Sequence, residues 1–261
     1  MKNKKPLTIV KIGGNIIDSP TDLKQFIIDF SKIKGDKILV HGGGKSATKM
    51  AENLGIKPQI IDGRRITDAS MLDIVVMVYA GQINKSIVAQ LQANKINAIG
   101  FSGADGNSIQ SEKRSHPTID YGFVGDIKIV NTELISGLLS LQITPVFCAI
   151  THNSKGQLLN TNADTIASEL AIALSNVFDV TLNYCFEKKG VLTNLEDENS
   201  VLKTINLELY NKLKYQNALH SGMIPKLDNC FYGLTNGVTK IKIGHHSMLL
   251  NESILYTRIT L

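Results

Sequence analysis

The chain has 261 residues, with 28 Lys and Arg against 23 Asp and Glu, a formal charge of +5. That length suits one large α/β domain or two lobes sharing a sheet, and 43% hydrophobic with 20% charged residues is enough to bury a core, which excludes disorder over most of the chain. The basic residues are dispersed apart from Lys2, Lys4 and Lys5, a pattern that argues against nucleic acid and for small anionic partners.

In chain order, Leu7–Ile12 predicts a buried strand and Thr21–Ile33 a helix, with Leu23, Phe26, Ile27 and Phe30 at helical spacing. Lys37–Val40 is a second strand, leading through His41-Gly42-Gly43-Gly44 into a helix over Lys45–Leu54. From Asp68 to about Asn94 the pattern is helical, with a break near Gly81. Ala98–Phe101 is a strand, and the glycines, aromatics and β-branched residues of His116–Val130 predict a hairpin. Thr132–Leu141 reads as a helix, Thr144–Ile150 as a strand, and Ser154-Lys155-Gly156 as a turn. Helices over Asn162–Leu174, Asn206–Leu219 and Lys226–Leu234 alternate with strands over Val177–Asn183 and Val238–Gly244. This alternation implies an α/β fold with a mainly parallel sheet and helices on both faces, ligands sitting at the carboxyl ends of the strands. A lobe boundary is expected near Asn176.

Cys148, Cys185 and Cys230 have no metal-ligand spacing, and an odd count gives no disulfide framework, so they read as buried reduced thiols of a cytoplasmic protein. His245-His246 has no third ligand at usual spacing and reads as an exposed loop pair. Leu7–Val10 is too short for a signal-peptide core, and no apolar run is expected to reach transmembrane length, so no membrane partner is expected.

Glycine-rich turns follow three strands: Lys11-Ile12-Gly13-Gly14, His41-Gly42-Gly43-Gly44-Lys45-Ser46, and Gly100-Phe101-Ser102-Gly103. Glycine lets main-chain N–H groups approach a phosphate, and a helix starting just after adds its positive end; the same glycines also suit plain tight turns. Gly44-Lys45-Ser46 is not a P-loop, because Leu39 stands where its first glycine belongs. Gly42-x-Gly44-x-x-Ala47 matches a dinucleotide fingerprint formally, with Asp62 as its only acidic partner. Lys11 ends an apolar strand, where burial is costly unless an anion meets it; a solvent-facing strand end is the other reading. Arg64 and Arg65 precede a helix and suit a carboxylate or a surface turn. Asn160-Thr161-Asn162-Ala163-Asp164 opens a helix, as a cap or as a site. Gly222-Met223-Ile224-Pro225-Lys226 starts another, with a lysine opposing the dipole unless a phosphate is bound there.

Taken together and in order, Lys11-Ile12-Gly13-Gly14, His41–Gly44, Gly63-Arg64-Arg65-Ile66-Thr67, Asn160–Asp164 and Gly222–Lys226 resemble the amino acid kinase family, in particular its members that phosphorylate N-acylated glutamate. Ala80-Gly81-Gln82-Ile83-Asn84-Lys85 and Gly122-Phe123-Val124-Gly125-Asp126 extend the resemblance over nearly the whole chain. It implies an αβα sandwich in which residues 1–176 hold the N-acyl-glutamate and residues 177–261 hold ATP. It further implies that Lys11 stabilises the phosphoryl group in flight, that Lys226 neutralises the phosphates from the ATP side, and that Asp164 holds both lysines. Gly13, Gly14, Gly43 and Gly44 would contact phosphate oxygens or substrate, Arg65 the α-carboxylate, and Asn160 would support it. Mg²⁺ would ride on the ATP phosphates without a protein ligand. Other acceptors of the family (carbamate, aspartate, UMP) and a catalytically silent sensor remain alternatives. The stretch Asn183-Tyr184-Cys185-Phe186-Glu187-Lys188-Lys189-Gly190 departs from the family pattern and lacks its acidic residue; Lys188 and Lys189 are its candidates for nucleotide contact. A chain that starts almost at its first strand implies, by the same resemblance, a homodimer insensitive to arginine.

Overall fold

Leu7, Ile9, Val10 and Ile12 are all buried on one strand, as expected for a parallel strand covered on both faces. In the computed structural model, which describes residues 4–61, 64–194, 196–216, 218–219 and 222–261, this strand is β1, Lys5–Ile12. Lys2, Asp62, Gly63 and Ser221 lie outside the described residues. The elements continue as α1 (Gly14–Asp18), α2 (Pro20–Lys32), β2 (Asp36–His41), α3 (Gly44–Asn53), β3 (Ile60–Ile61), β4 (Arg64–Arg65), α4 (Ala69–Val75), α5 (Asn84–Ala93), β5 (Ala98–Phe101), β6 (Ile109–Lys113), β7 (Gly125–Val130), α6 (Thr132–Ser140), β8 (Thr144–Phe147), β9 (Ile150–His152) and β10 (Leu158–Asn160). The remainder is α7 (Ala163–Ser175), β11 (Phe178–Cys185), β12 (Thr204–Ile205), α8 (Leu207–Tyr215), α9 (Met223–Thr235), β13 (Lys240–Gly244) and β14 (Thr257–Ile259).

The main sheet has eight strands in the order β12-β14-β13-β11-β1-β2-β8-β5. All its pairs are parallel except β13 with β14. Helices pack on this sheet around one continuous apolar core, giving the expected αβα sandwich. The central strand β1 pairs with β11 on one side and β2 on the other, so the carboxyl ends of all three open on one edge.

Several expectations shift. The run Thr144–Ile150 is not one strand: β8 ends at Phe147 in the main sheet, and β9 joins a second sheet of order β10-β9-β6-β7. The hairpin arms are Ile109–Lys113 and Gly125–Val130, so the first arm starts before His116. The helix expected over Asn206–Leu219 ends at Tyr215. No break occurs at Gly81. Between α4 and α5, Val76–Ile83 continues as a π-helical turn. The resulting run Ala69–Ala93 spans 25 residues with a mean hydropathy of 1.3 in its most apolar window, so one helix does reach membrane-spanning length and apolarity, against expectation. Half of that window is buried inside the fold, where Ile74, Val75, Val78, Ile87 and Leu91 join the core. All three cysteines are buried and free.

Candidate active site

At the carboxyl edge of β1, Lys11 sits in register between Val40 of β2 and Tyr184 of β11. Its ammonium is 2.7 Å from Asp164 Oδ1. Asp164 occupies the first turn of α7, where the Asn162 side chain caps the helix by accepting from the N–H groups of Asp164 and Thr165. The second Asp164 oxygen accepts from Lys226 Nζ at 2.8 Å, and Lys226 belongs to the first turn of α9. The two lysines, 215 positions apart in sequence, therefore meet on one carboxylate. The Tyr184 ring lies under Lys226, with Nζ 4.9 Å from its centroid, and the Tyr184 hydroxyl donates to the main-chain oxygen of Asp164.

The electrostatics are unbalanced by design. Burial pulls the Asp164 carboxyl upward, but Lys11 and Lys226 together outweigh it and hold it well below the usual carboxylate range. Burial pulls the Lys11 ammonium below its usual value, and Lys226 adds to this against the attraction of Asp164. Two cations share one anion, so the cluster carries an unmatched positive charge at the edge of a cleft. A phosphoryl group would complete it.

The cleft has a volume of about 900 Å³ and is lined by Lys11, Gly14, Gly43, Gly44, Arg65, Asn160 and Asp164, among others. Arg65 reaches it from β4, donating to Gly44 O at 2.9 Å and Thr48 Oγ1 at 2.7 Å. The Asn160 side chain donates to Thr67 Oγ1 at 3.0 Å, and its N–H to Phe123 O. Gly13 is the exception among the glycines expected here. Its N–H already donates to Cys185 O at 2.9 Å, so that amide is spent on joining the β1–α1 turn to β11. Tyr79, Thr48 and Arg114 also line the cleft and were not singled out by the sequence. The Ala80–Lys85 motif marked the neighbourhood of Tyr79. Nothing in the sequence marks Thr48 or Arg114, whose guanidinium pairs with Asp126.

Other expectations resolve away from the cleft. His246 is buried, with Nδ1 2.8 Å from an Asp29 carboxylate oxygen, so it is a core residue and not an exposed loop histidine. Lys188 lies 3.5 Å from Glu198, and Lys189 donates to Asn199 at 3.5 Å, both facing the loop at residues 196–200. Among the described residues, no group of three His, Cys, Asp or Glu side chains converges as a metal site.

Residues 6–245 match the model of the amino acid kinase family. The chain is 56% identical over 238 residues to an acetylglutamate kinase of Cytophaga hutchinsonii, covering 91% of this chain and 90% of that one. It is 51% identical over 240 residues to an acetylglutamate kinase of Phocaeicola vulgatus, covering 92% and 93%. Among solved structures, N-acetylglutamate synthase from Neisseria gonorrhoeae superposes with a TM-score of 0.83 at 17% identity, over 99% of this chain and 60% of that one.

Proposed function

Since this chain belongs to the amino acid kinase family, we propose that it transfers the γ-phosphoryl group of ATP to the side-chain carboxylate of N-acetyl-L-glutamate, a step of arginine biosynthesis. The observation that carries this reading is the Lys11–Asp164–Lys226 cluster beside a cleft that also holds Arg65 and Asn160. The acceptor is already an ionised carboxylate, so no general base is required. Its oxygen attacks phosphorus, the bond to the ADP oxygen breaks, and ADP leaves with the electron pair. What the protein supplies is alignment and charge neutralisation along that line.

In this reading Lys11 approaches the equatorial oxygens from the acceptor side and Lys226 from the nucleotide side, while Asp164 keeps the two ammoniums together. Gly14, Gly43 and Gly44 offer main-chain amides, Arg65 forks onto the α-carboxylate, and Asn160 supports it. Residues 1–176 carry the acyl-glutamate and residues 177–261 carry ATP. Mg²⁺ would enter on the nucleotide phosphates and neutralise part of their charge. The protein works in the cytoplasm as a homodimer.

A second reading keeps the chemistry and replaces acetyl by an acyl group ending in a carboxylate, such as succinyl. It is favoured by the surplus of cations in the lining, where Lys45, Lys49 and Arg64 join Lys11 and Arg65 against Asp18, Glu52 and Asp164. Trapping the acyl phosphate as a hydroxamate, with N-acetyl- and N-succinyl-L-glutamate in parallel, decides between them. Aspartate, carbamate and UMP serve as further arms. Turnover confined to one of those three, or ATP binding without transfer to any acceptor, would end the proposal.

A further inference from the structure

A loop that attracts an anion through its N–H groups must keep its carbonyl oxygens turned elsewhere, because each oxygen facing the anion repels it. In Gly42-Gly43-Gly44 every carbonyl has a donor. Gly43 O accepts from the Ala47 N–H at 2.9 Å, the first turn of α3, and Gly44 O accepts from Arg65 at 2.9 Å. Gly42 O accepts from His41 Nδ1 at 2.8 Å. His41 is fully buried, and nothing in the phosphoryl-transfer chemistry above employs it.

The orientation of His41 is determined by its neighbours. A carbonyl can only accept, so Nδ1 carries the proton and Nε2 is the bare nitrogen. The Asn84 side-chain NH₂ donates to Nε2 at 3.0 Å and to Val146 O at 2.9 Å, while its Oδ1 accepts from Lys85 Nζ at 3.3 Å, which fixes the amide. Burial, helped by Lys85, pushes the imidazole pKa down to about 4, so the ring stays neutral. Asn84 itself is fully buried and follows directly on the π-helical turn.

That turn presses on the same loop. A Cβ placed on Gly43, whose φ is 157°, would lie 2.5 Å from Ile83 Cδ1 and 2.8 Å from Tyr79 Cδ1. Tyr79, Ile83 and Asn84 are four and five residues apart. In an α-helix, positions five apart diverge by about 140° around the axis, whereas the wider i→i+5 winding brings them toward one face. The π-helical turn thus sets Tyr79 and Ile83 against Gly43 and aims Asn84, the residue that follows it, at His41.

We propose that His41, oriented by Asn84, is a positioning residue for phosphoryl transfer, holding the Gly42 carbonyl out of the cleft so that the loop presents amides to the migrating group. This rests on the kinase reading above. The test compares His41→Leu, which removes the donor, with His41→Asn, whose amide nitrogen can stand near the Nδ1 position and restore it. In the hydroxamate assay, His41→Leu should lower kcat by about 10²-fold with KM for both substrates within threefold, the size expected when a catalytic group shifts by about an ångström. His41→Asn should recover at least a tenth of wild-type kcat. Side-chain ¹⁵N NMR of the unmodified protein gives a readout independent of activity and of variant folding: His41 should appear as the Nδ1–H tautomer. An Nε2–H tautomer overturns the assignment, as does a His41→Leu protein with wild-type kcat or a His41→Asn protein as slow as His41→Leu. An unmodified protein inactive on every N-acylglutamate instead overturns the kinase reading, and the NMR result still stands by itself.

Discussion

Lys11 is a residue whose charge the fold tolerates at a cost. Its folded pKa is lowered, mainly by burial, so the unfolded chain holds that proton more tightly. The charged form therefore weakens folding at neutral pH, and this penalty is relieved as pH rises from the lowered value toward the ordinary lysine range. A bound phosphate removes it at any pH. Lys11→Met should accordingly have a Tm at or above that of the unmodified protein while kcat falls on the order of 10³-fold, as for loss of a main transition-state cation. A Tm well below that of the unmodified protein would show that Lys11 is structural. Asp164 behaves oppositely. Its folded pKa is depressed, so its contribution is present above the unfolded carboxyl range near pH 4 and is lost as pH falls further. Asp164→Asn leaves Lys11 and Lys226 facing each other with no counter-charge, at a cost of about 3 kcal/mol. Chemical denaturation should show that loss, and high sulfate should restore part of it by supplying an anion to the bare pair. Insensitivity to sulfate would mean that no anion binds between the lysines.

At the scale of elements, the glycine loop and the π-helical turn form one device. Gly43→Ala meets Ile83 at 2.5 Å and Tyr79 at 2.8 Å and adopts a backbone angle that alanine resists, so the loop or these side chains must shift. We expect kcat to fall by about 10²-fold with a smaller loss of Tm, because the side chains that must shift, Tyr79 and Ile83, are buried in the core. Stopped-flow or steady-state kinetics beside calorimetry would separate the two; equal losses in activity and stability would point to general unfolding instead. The two sides of this device were unequally legible in the sequence. Glycines between a strand and a helix suit a phosphate loop or a plain tight turn, and a lone lysine in an apolar strand announces only its own cost, so residue types marked Lys11, Gly43 and Gly44 as candidates, and the family resemblance gave them roles. The π-helical turn could not. Its apolar residues fit a period of 3.6 for most of their length, and Gly81 resembles a helix break although no atom crowds it. His41 was equally silent, since a histidine at a strand end shows neither its burial nor its partner 43 positions away. The split of Thr144–Ile150 into β8 and β9 has the same cause. An apolar run records burial, while a change of sheet is written only in hydrogen-bond partners far along the chain, such as Thr161, whose N–H meets Ala149 O.

Over the whole molecule, β1 joins the two ends of the chain, because it pairs with β11 from the second half and β2 from the first. Lys11 therefore stands between β2 and β11, and the main sheet runs unbroken across the boundary expected near Asn176. The same sheet ends differently on its two sides. β12 has two residues and is flanked by loop, whereas β5 offers four edge residues with Ile99 40% exposed. An unpaired apolar edge is a template for another strand, and proteins that stay dispersed either blunt such an edge or use it. The proposed homodimer is expected to form across β5. Ile99→Lys should then convert the dimer to a monomer in sedimentation equilibrium. It should keep kcat within about threefold, because Lys11, Asp164, Lys226, Arg65 and Asn160 all come from one chain and lie at the strand ends, away from that edge. A dimer that survives Ile99→Lys would move the interface to another face. A monomer that loses activity would show that the cleft depends on its neighbour.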